Sequence, residues 1–187
     1  MSRGALLTGT AGGIIGTITS ALGVVWYILF LYIEERYTWM LFVPVYTGPS
    51  TLFIVITILF LALLLVSLVL TGIGFYGLHA IGGSSMGIVA LIFGIIGGAS
   101  FLVLELIDLF TNNPLLFLIG LVILIISFII IGAASITLRE VTTRPGVTLA
   151  AGILSIIGGV LLIGLFGYPL LFVAFLLWAI VFYTTEA

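Results

Sequence analysis

The sequence predicts an all-α protein, a polytopic bundle of about six transmembrane helices, and three observations lead to that prediction. The chain has 187 residues, of which 64% are hydrophobic and only 5% are charged, whereas soluble domains carry roughly 25% charged residues. Its apolar residues form long stretches of the length that crosses a bilayer. Short segments rich in Gly, Asn, Thr and Pro separate these stretches. We therefore expect one integral membrane domain over residues 1–187.

A spanning helix needs about 20 mostly apolar residues. Six segments meet this requirement, at about 5–33, 51–80, 85–110, 114–138, 146–165 and 168–184. Residues 82–85 offer a glycine stop followed by serine hydroxyls for the next N-cap. Asn113-Pro114 and Arg144-Pro145, the latter after two threonines, place polar residues before a proline in the first helical turn. The turn at 167–169 is tight, and the alternative for helices five and six is a single re-entrant hairpin.

The connection at residues 34–50, EERYTWMLFVPVYTGPS, is much longer than the others. Tyr and Trp favour the membrane–water interface, where the ring is half buried and its polar atom stays hydrated. We therefore predict an outer interfacial loop, with a docking surface for another subunit as the alternative. The aromatic residues that support this prediction are Tyr37, Trp39, Phe42 and Tyr46.

The four arginines predict the orientation. With the N-terminus inside, Arg3, Arg139 and Arg144 are cytoplasmic and only Arg36 is outside, as the positive-inside rule prefers. Both termini of this multi-pass chain are then expected in the cytoplasm, at the cell membrane. The glycine-rich segment after Arg3 has no clear signal-peptidase site, so we expect the first helix to be retained.

Helices two and three resemble helices four and five at an offset of 60–61 residues. Gly72 corresponds to Gly132, and the pair Gly97-Gly98 corresponds to Gly158-Gly159. Because a two-helix unit keeps its topology when duplicated, this similarity predicts a parallel repeat and not the inverted repeat of many transporters.

Small residues four apart recur on the odd-numbered helices and predict helix packing. Lipid gives no hydrophobic drive for helix association, so close backbone contact must supply it. We expect these faces to pack within the chain or against a neighbour, with a hinge or pore lining as the alternative. The residues concerned are Gly9, Gly12, Gly13, Gly16, Gly94, Gly97, Gly98, Ser155, Gly158 and Gly159.

Three ionisable residues are candidates for a polar or proton site. Glu105 and Asp108 lie three apart on one helix face, and Glu105 lies about 30 Å along the helix from Ser85 at 1.5 Å per residue. That depth predicts an interfacial or intersubunit contact at the outer boundary. The alternative is a proton or cation site to which Thr111 and Asn112 add oxygens. His79 is expected to complement the C-terminal dipole of helix two, with proton transfer or ligation as its alternative.

Composition and motifs exclude several function classes. The chain has no Cys and a single His, so thiolate and bis-His sites are excluded, and we expect neither a cofactor nor a metal. No catalytic motif is present, and the basic residues form no patch for nucleic acid. We therefore expect a protein that is not an enzyme, and the absence of Gln together with only two Asn fits a thermophile.

The leading hypothesis is a non-catalytic accessory subunit of a larger membrane protein complex, with a respiratory or other energy-transducing assembly as one natural host. Its partners would be the lipid bilayer and other membrane subunits or further copies of itself. The first alternative is a small ion, proton or solute transporter or channel that uses Glu105 and Asp108. The second is a self-associating protein that shapes a membrane or an envelope.

Overall fold

In the computed structural model, six α-helices account for most of the chain. The structure describes residues 2–39, 51–111, 113–164 and 166–185, with side chains in α1 described for residues 3–29. The helices are α1 (Ser2–Trp39), α2 (Thr51–Gly82), α3 (Met86–Thr111), α4 (Pro114–Thr137), α5 (Pro145–Val160) and α6 (Gly167–Thr184). Short three-ten helices follow α4, at Leu138–Val141, and α5, at Leu161–Ile163.

The six helices form a closed ring. Each helix packs against the next one along the chain, and α1 packs against α6 to close the circle. Consecutive helices run in opposite directions, so one end of the ring holds Arg3, Thr185 and the connections at 83–85 and 142–144. We call this the terminal end, and we call the opposite end, with the α3–α4 and α5–α6 turns, the distal end.

All six helices are long and apolar enough to cross a bilayer. Large apolar side chains cover the outside of the ring on every helix, which is the surface that lipid requires. The chain is therefore a multi-pass membrane protein. Examples of these outward-facing residues, one on each helix in order, are Ile14, Val55, Ile92, Ile119, Ile153 and Leu176.

The two ends of the ring differ in how far the helices extend. At 1.5 Å per residue, α5 and α6 are about 24 and 27 Å long, whereas α3 and α4 are about 39 and 36 Å long. Because these four helices all begin or end near the terminal end, the α5–α6 turn lies closer to the centre of the bundle than the α3–α4 turn does.

The helix α1 continues six residues into the segment that was predicted to be a loop. It extends through Glu34, Glu35 and Arg36 to Trp39, since Glu and Arg are good helix formers and the first proline after them is Pro44. The predicted interfacial residues Tyr37 and Trp39 therefore belong to α1 by their backbone, although their side chains lie outside the described residues. The other two predicted residues of this loop, Phe42 and Tyr46, lie wholly outside them.

The connections between the helices differ in how each helix is ended or capped. Gly83 ends α2 with a left-handed backbone (φ 70°), a conformation that glycine adopts without steric cost. The side chain of Asn113 accepts a hydrogen bond from the backbone N–H of Leu115 and caps α4. At α5 the N-cap residue is Arg144, which makes no side-chain cap hydrogen bond.

Three glycine pairs occupy equivalent places around the ring. The first glycine of each pair faces the following even-numbered helix: Gly12 lies against α2, Gly97 against Ser127 of α4, and Gly158 against Leu171 of α6. The second glycine faces the preceding even-numbered helix: Gly13 lies against Ala179 of α6, Gly98 against Leu65 of α2, and Gly159 against Phe128 of α4. The contacts of α1, α3 and α5 therefore follow one threefold pattern.

The α2–α3 and α4–α5 pairs make corresponding contacts at the predicted offset. Gly94 lies against the carbonyl oxygen of Leu68, and at the matching positions Ser155 Oγ donates a hydrogen bond to the carbonyl oxygen of Phe128 over 3.1 Å. Gly72 lies against Leu91 as Gly132 lies against Gly152. The duplication itself stays a prediction, and these contacts are what it would require.

Aromatic side chains fill the ring from its centre toward the terminal end. Phe75 packs edge-on against Trp178, with ring centroids 5.5 Å apart, and Phe175 packs against Trp178 at 5.3 Å. Phe128 and Phe182 extend the cluster. All five rings are buried, so this part of the bundle is a packed core.

Candidate functional site

The candidate site lies in a layer near the distal end of the ring, formed by Trp26, Thr57, Phe60, Glu105 and Tyr168. We call it the distal layer. Trp26 Nε1 donates a hydrogen bond to Thr57 Oγ1 over 2.9 Å and stacks on Phe60 with centroids 5.4 Å apart. Phe60 in turn packs edge-on against Tyr168. Helices α1, α2, α3 and α6 thus each contribute at least one side chain to the layer.

Glu105 faces the interior of the ring. It lies one helical turn beyond Phe101 on the buried face of α3, and the whole residue is only 6% exposed. The helix thus turns this residue toward the other helices of the ring. The interfacial or intersubunit contact that its depth along α3 suggested stays a prediction.

The carboxyl of Glu105 is incompletely satisfied. Its Oε2 atom is buried and has no hydrogen-bond partner among the described residues. Within the described ranges the hydroxyl of Thr71 is also buried without a partner, but a neutral hydroxyl costs far less to bury than a carboxylate does. A buried carboxyl with one oxygen unpartnered among the described residues, in the apolar interior of a membrane bundle, is a candidate functional group.

Two groups lie within electrostatic reach of Glu105. The phenol of Tyr168 approaches it from the first turn of α6, and Asp108 lies one turn along α3. The N-cap residue of α6, Phe166, makes no side-chain cap hydrogen bond. The positive end of the α6 dipole therefore lies beside the layer that holds Glu105.

The structure gives Asp108 a different role from Glu105. Asp108 is partly exposed, and its carboxylate accepts a hydrogen bond from the backbone N–H of Asn113 at the α3–α4 turn. Thr111 uses its hydroxyl to bond the carbonyl oxygen of Ile107, and Asn112 lies outside the described residues. The two acids were predicted to form one site, but their surroundings differ. Glu105 is buried, and Asp108 stabilises the α3–α4 turn.

His79 lies at the terminal end, at the other side of the bundle from Glu105. Its Nδ1 is 2.7 Å from the carbonyl oxygen of Ser84, and its ring lies 5.8 Å from that of Tyr76. These contacts tie the end of α2 to the connection that follows it.

The predicted packing residues lie between helices of this chain. Gly9 lies against Gly74 of α2, and Gly16 against the ring of Phe175. The contacts of the other predicted glycines and of Ser155 are those described above. These small-residue faces are consumed by intramolecular packing, so they offer no free surface to a partner.

A cavity of about 10 Å³ lies beside the distal layer. Phe60, Phe101 and Tyr168 form part of its wall, and Thr19 and Ser20 are among the few polar residues that line it. A cavity of this size has room for one water molecule at most. The described residues hold no group of three or more His, Cys, Asp or Glu that could bind a metal ion.

Sequence reasoning missed a second buried polar group, in a layer near the terminal end. Trp178 Nε1 donates to Ser135 Oγ over 3.1 Å, and Ser135 Oγ donates to the carbonyl oxygen of Thr148 over 3.0 Å. The hydroxyls of Thr148 and Thr142 lie 2.7 Å apart. We call Phe75, Ser135, Thr148, Phe175 and Trp178 the terminal layer. One member of the network, Thr142, belongs to the two threonines before Arg144-Pro145, which we interpreted only as residues that precede a helix start.

The distal layer thus combines a buried carboxyl, a phenol and a very small cavity in a membrane-spanning ring. Comparison with protein-family models, with curated proteins and with solved structures finds no match to this chain.

Proposed function

We propose that this chain is a small membrane transporter that binds its ion at Glu105. The observation that carries the proposal is the Oε2 atom of Glu105, which is buried without a hydrogen-bond partner among the described residues. Ionisable side chains inside membrane bundles are costly, and those that occur mark ion or proton pathways.

The packing of the ring favours a transporter over an open channel. A channel needs a continuous water-filled path, whereas the centre toward the terminal end is filled by Phe75, Phe128, Phe175 and Trp178, each at most 1% exposed. An ion at Glu105 can pass this core only if the helices move. The described conformation therefore represents a state that is closed toward the terminal end.

Access to Glu105 is shortest from the distal end. Glu105 lies six residues before the end of α3, which is about 9 Å at 1.5 Å per residue. The α5–α6 turn, which is followed by Tyr168 in the first turn of α6, lies closer to the bundle centre than the α3–α4 turn does. If both termini are cytoplasmic, as the arginines predict, this entrance faces the outside.

A proteoliposome experiment tests the proposal. Flux of protons and of Na⁺, K⁺ and Ca²⁺ is compared for the wild-type chain and the Glu105→Gln variant, which keeps the side-chain shape and removes the ionisable group. The matched control is Glu140→Gln, the same change at an exposed position of the three-ten helix after α4. We expect at least a tenfold loss of flux in E105Q and no change in E140Q. Equal flux of every ion in all three proteins would contradict the proposal.

The accessory-subunit hypothesis is the second candidate. It is supported by the lack of catalytic motifs and by three apolar side chains that project at the distal end, Phe110, Ile163 and Phe166, each more than 70% exposed. Because the glycine faces are used within the chain, a host subunit or a second copy would have to bind elsewhere, for example at these residues. Extraction in a mild detergent followed by native mass spectrometry distinguishes the candidates: defined hetero-partners favour the subunit, further copies favour self-association, and a monomer favours the transporter.

A further inference from the structure

We infer that the ion bound at Glu105 is a proton, in preference to a metal cation or an organic cation. This inference rests on the proposed function and names the ion that the same site takes. It depends on the surroundings of the carboxyl, which are short of both oxygen ligands and space.

The described surroundings of Glu105 supply too few oxygens for a metal ion. Hard cations such as Ca²⁺ and Mg²⁺ are held by six or more oxygen atoms. Around Glu105 the structure offers the phenol of Tyr168 and, farther along α3, the carboxylate of Asp108, which already accepts the Asn113 N–H. The hydroxyl of Thr57 is engaged by Trp26. The phenol of Tyr27, whose ring lies 6.3 Å from that of Tyr168, is a further oxygen near this layer, and the side chains of the other two members, Trp26 and Phe60, contain no oxygen.

The packing near the site offers little room for larger ions. The cavity that Phe60 and Tyr168 of this layer help to line has a volume of about 10 Å³ and does not include Glu105 in its wall, and it accommodates one water molecule at most. A hydrated metal ion carries several waters, and an organic ammonium ion is larger still. A proton adds no volume, so the described packing can accept it at Glu105 without first opening.

Among the side chains that the structure describes, few other titratable groups lie near Glu105. On the element that carries Glu105, the neighbouring acid is Asp108. The element α6 contributes Tyr168, and α1 contributes Tyr27, whose ring lies 6.3 Å from that of Tyr168. The described side chains that α2, α4 and the three-ten helix after α5 turn toward this layer are uncharged, among them Thr57, Phe60, Phe117, Leu121 and Leu162.

The binding step is a simple proton addition. A proton from water forms an O–H bond with a carboxylate oxygen of Glu105, and the group changes from a charge of −1 to neutral. No other reactant is consumed. The neutral acid has a much smaller desolvation cost than the carboxylate, so protonation is also the change that allows this residue to stay within, or move past, an apolar aromatic core.

Infrared difference spectroscopy during acidification tests this inference. The intact chain in detergent is titrated, and the C=O stretching band of protonated carboxylic acids is followed together with proton uptake per chain. We expect E105Q to lose one titrating band and one bound proton, and E140Q to keep this Glu105 band. Both variants must match the wild type in elution volume and circular dichroism. Replacing NaCl by KCl or by choline chloride at constant ionic strength, with and without CaCl₂, should leave the Glu105 band unchanged.

The outcomes separate this inference from the proposed function. A Glu105-dependent shift of the melting temperature or of the carboxyl band by Na⁺ or Ca²⁺, without a Glu105 proton, would overturn the proton and leave the ion site standing. A similar shift with choline would identify an organic cation. No titrating group and no cation effect at Glu105, combined with unchanged flux in E105Q, would overturn both proposals.

Discussion

The terminal and distal layers each bury a tryptophan among aromatic rings, but they treat their polar groups in opposite ways. In the terminal layer, Trp178 donates to Ser135, and Ser135 donates to the backbone of Thr148. In the distal layer, Trp26 donates to Thr57, whereas the neighbouring Glu105 has a buried oxygen that meets no hydrogen-bond partner in the described part of the chain. The hydrogen bonds of the terminal layer therefore stabilise the fold, whereas the buried oxygen of Glu105 in the distal layer lowers its stability.

The hydrogen bonds of the terminal layer join three helices. Ser135 belongs to α4, Thr148 to α5 and Trp178 to α6, and the Thr142 hydroxyl extends the chain of bonds to the carbonyl oxygen of Arg139. Fully satisfied polar networks in an apolar interior make a core rigid. If the chain transports an ion as proposed, we therefore expect the helices to move toward the distal end, where the α5–α6 turn and Glu105 lie.

The largest loss of stability is expected when a whole aromatic side chain is removed from the terminal layer. Trp178→Ala should lower the free energy of unfolding by about 4 kcal/mol, because it removes a fully buried aromatic side chain and leaves a cavity. Trp178→Phe keeps most of the packing and loses the bond to Ser135, so it should cost about 1 kcal/mol. Reversible unfolding in mixed micelles measures both values. Equal losses would mean that the hydrogen bond, and not ring packing, dominates this layer.

The fold was largely predictable from the sequence because length and apolarity alone define membrane-spanning helices. The proline and asparagine at 113–114 also marked the start of α4 correctly. The order of the ring was not predictable. The closure of α1 on α6 depends on backbone contacts such as that of Gly13 with Ala179, and a small-residue face does not reveal which helix it meets.

The second prediction compares two glycines of α1, one on each side of the bundle centre. A Cβ at Gly13 would lie 2.7 Å from the backbone nitrogen of Ala179, whereas a Cβ at Gly23 would meet the side chains of Tyr168 and Phe60. Backbone atoms cannot move aside as rings can. We expect Gly13→Ala to cost about 3 kcal/mol and Gly23→Ala about 1 kcal/mol, within the range for overpacked sites.

Gly4 provides the control for this pair, since a Cβ there would meet no atom within 4 Å. Gly4→Ala should leave stability unchanged or raise it slightly, because Ala is the better helix former. If Gly23→Ala destabilises as much as Gly13→Ala, the distal layer is packed as rigidly as the terminal layer, and the contrast between them fails.

The third prediction concerns the loss of one hydroxyl from the terminal layer. Ser135→Ala deprives the Trp178 N–H of its acceptor, which should cost about 2 kcal/mol, the typical penalty for a buried donor left without a partner. Thr137→Ala is the control: its exposed hydroxyl bonds only the preceding turn, so the change should stay within about 0.5 kcal/mol of zero. Thermal unfolding of both variants in the same detergent measures the two changes in stability. Equal effects would show that Ser135 contributes no more than an ordinary surface hydroxyl.

The candidate site was only partly predictable, and Glu105 shows why. The rarity of acids in an apolar chain was enough to select Glu105 and Asp108. Spacing three apart placed them on one face, but a side chain's environment depends on neighbours that come from other helices. Tyr168 reaches Glu105 from α6, more than sixty residues away along the chain, and Asp108 turns to a backbone N–H instead. The partners of a polar residue could therefore be identified only from the folded structure.

The smallest predicted change in the free energy of unfolding is a stabilisation, opposite to the three destabilising changes above. Glu105→Met replaces the carboxyl by an apolar side chain of similar length, so it removes the buried oxygen that has no partner. Because an unsatisfied buried group costs on the order of 1 kcal/mol or more, we expect E105M to raise the free energy of unfolding by about 1 kcal/mol while abolishing flux. Asp108→Asn, at the partly exposed turn, should not stabilise. If E105M destabilises the chain as Ser135→Ala does, then Glu105 is a structural group, and the distal layer is a second version of the terminal one.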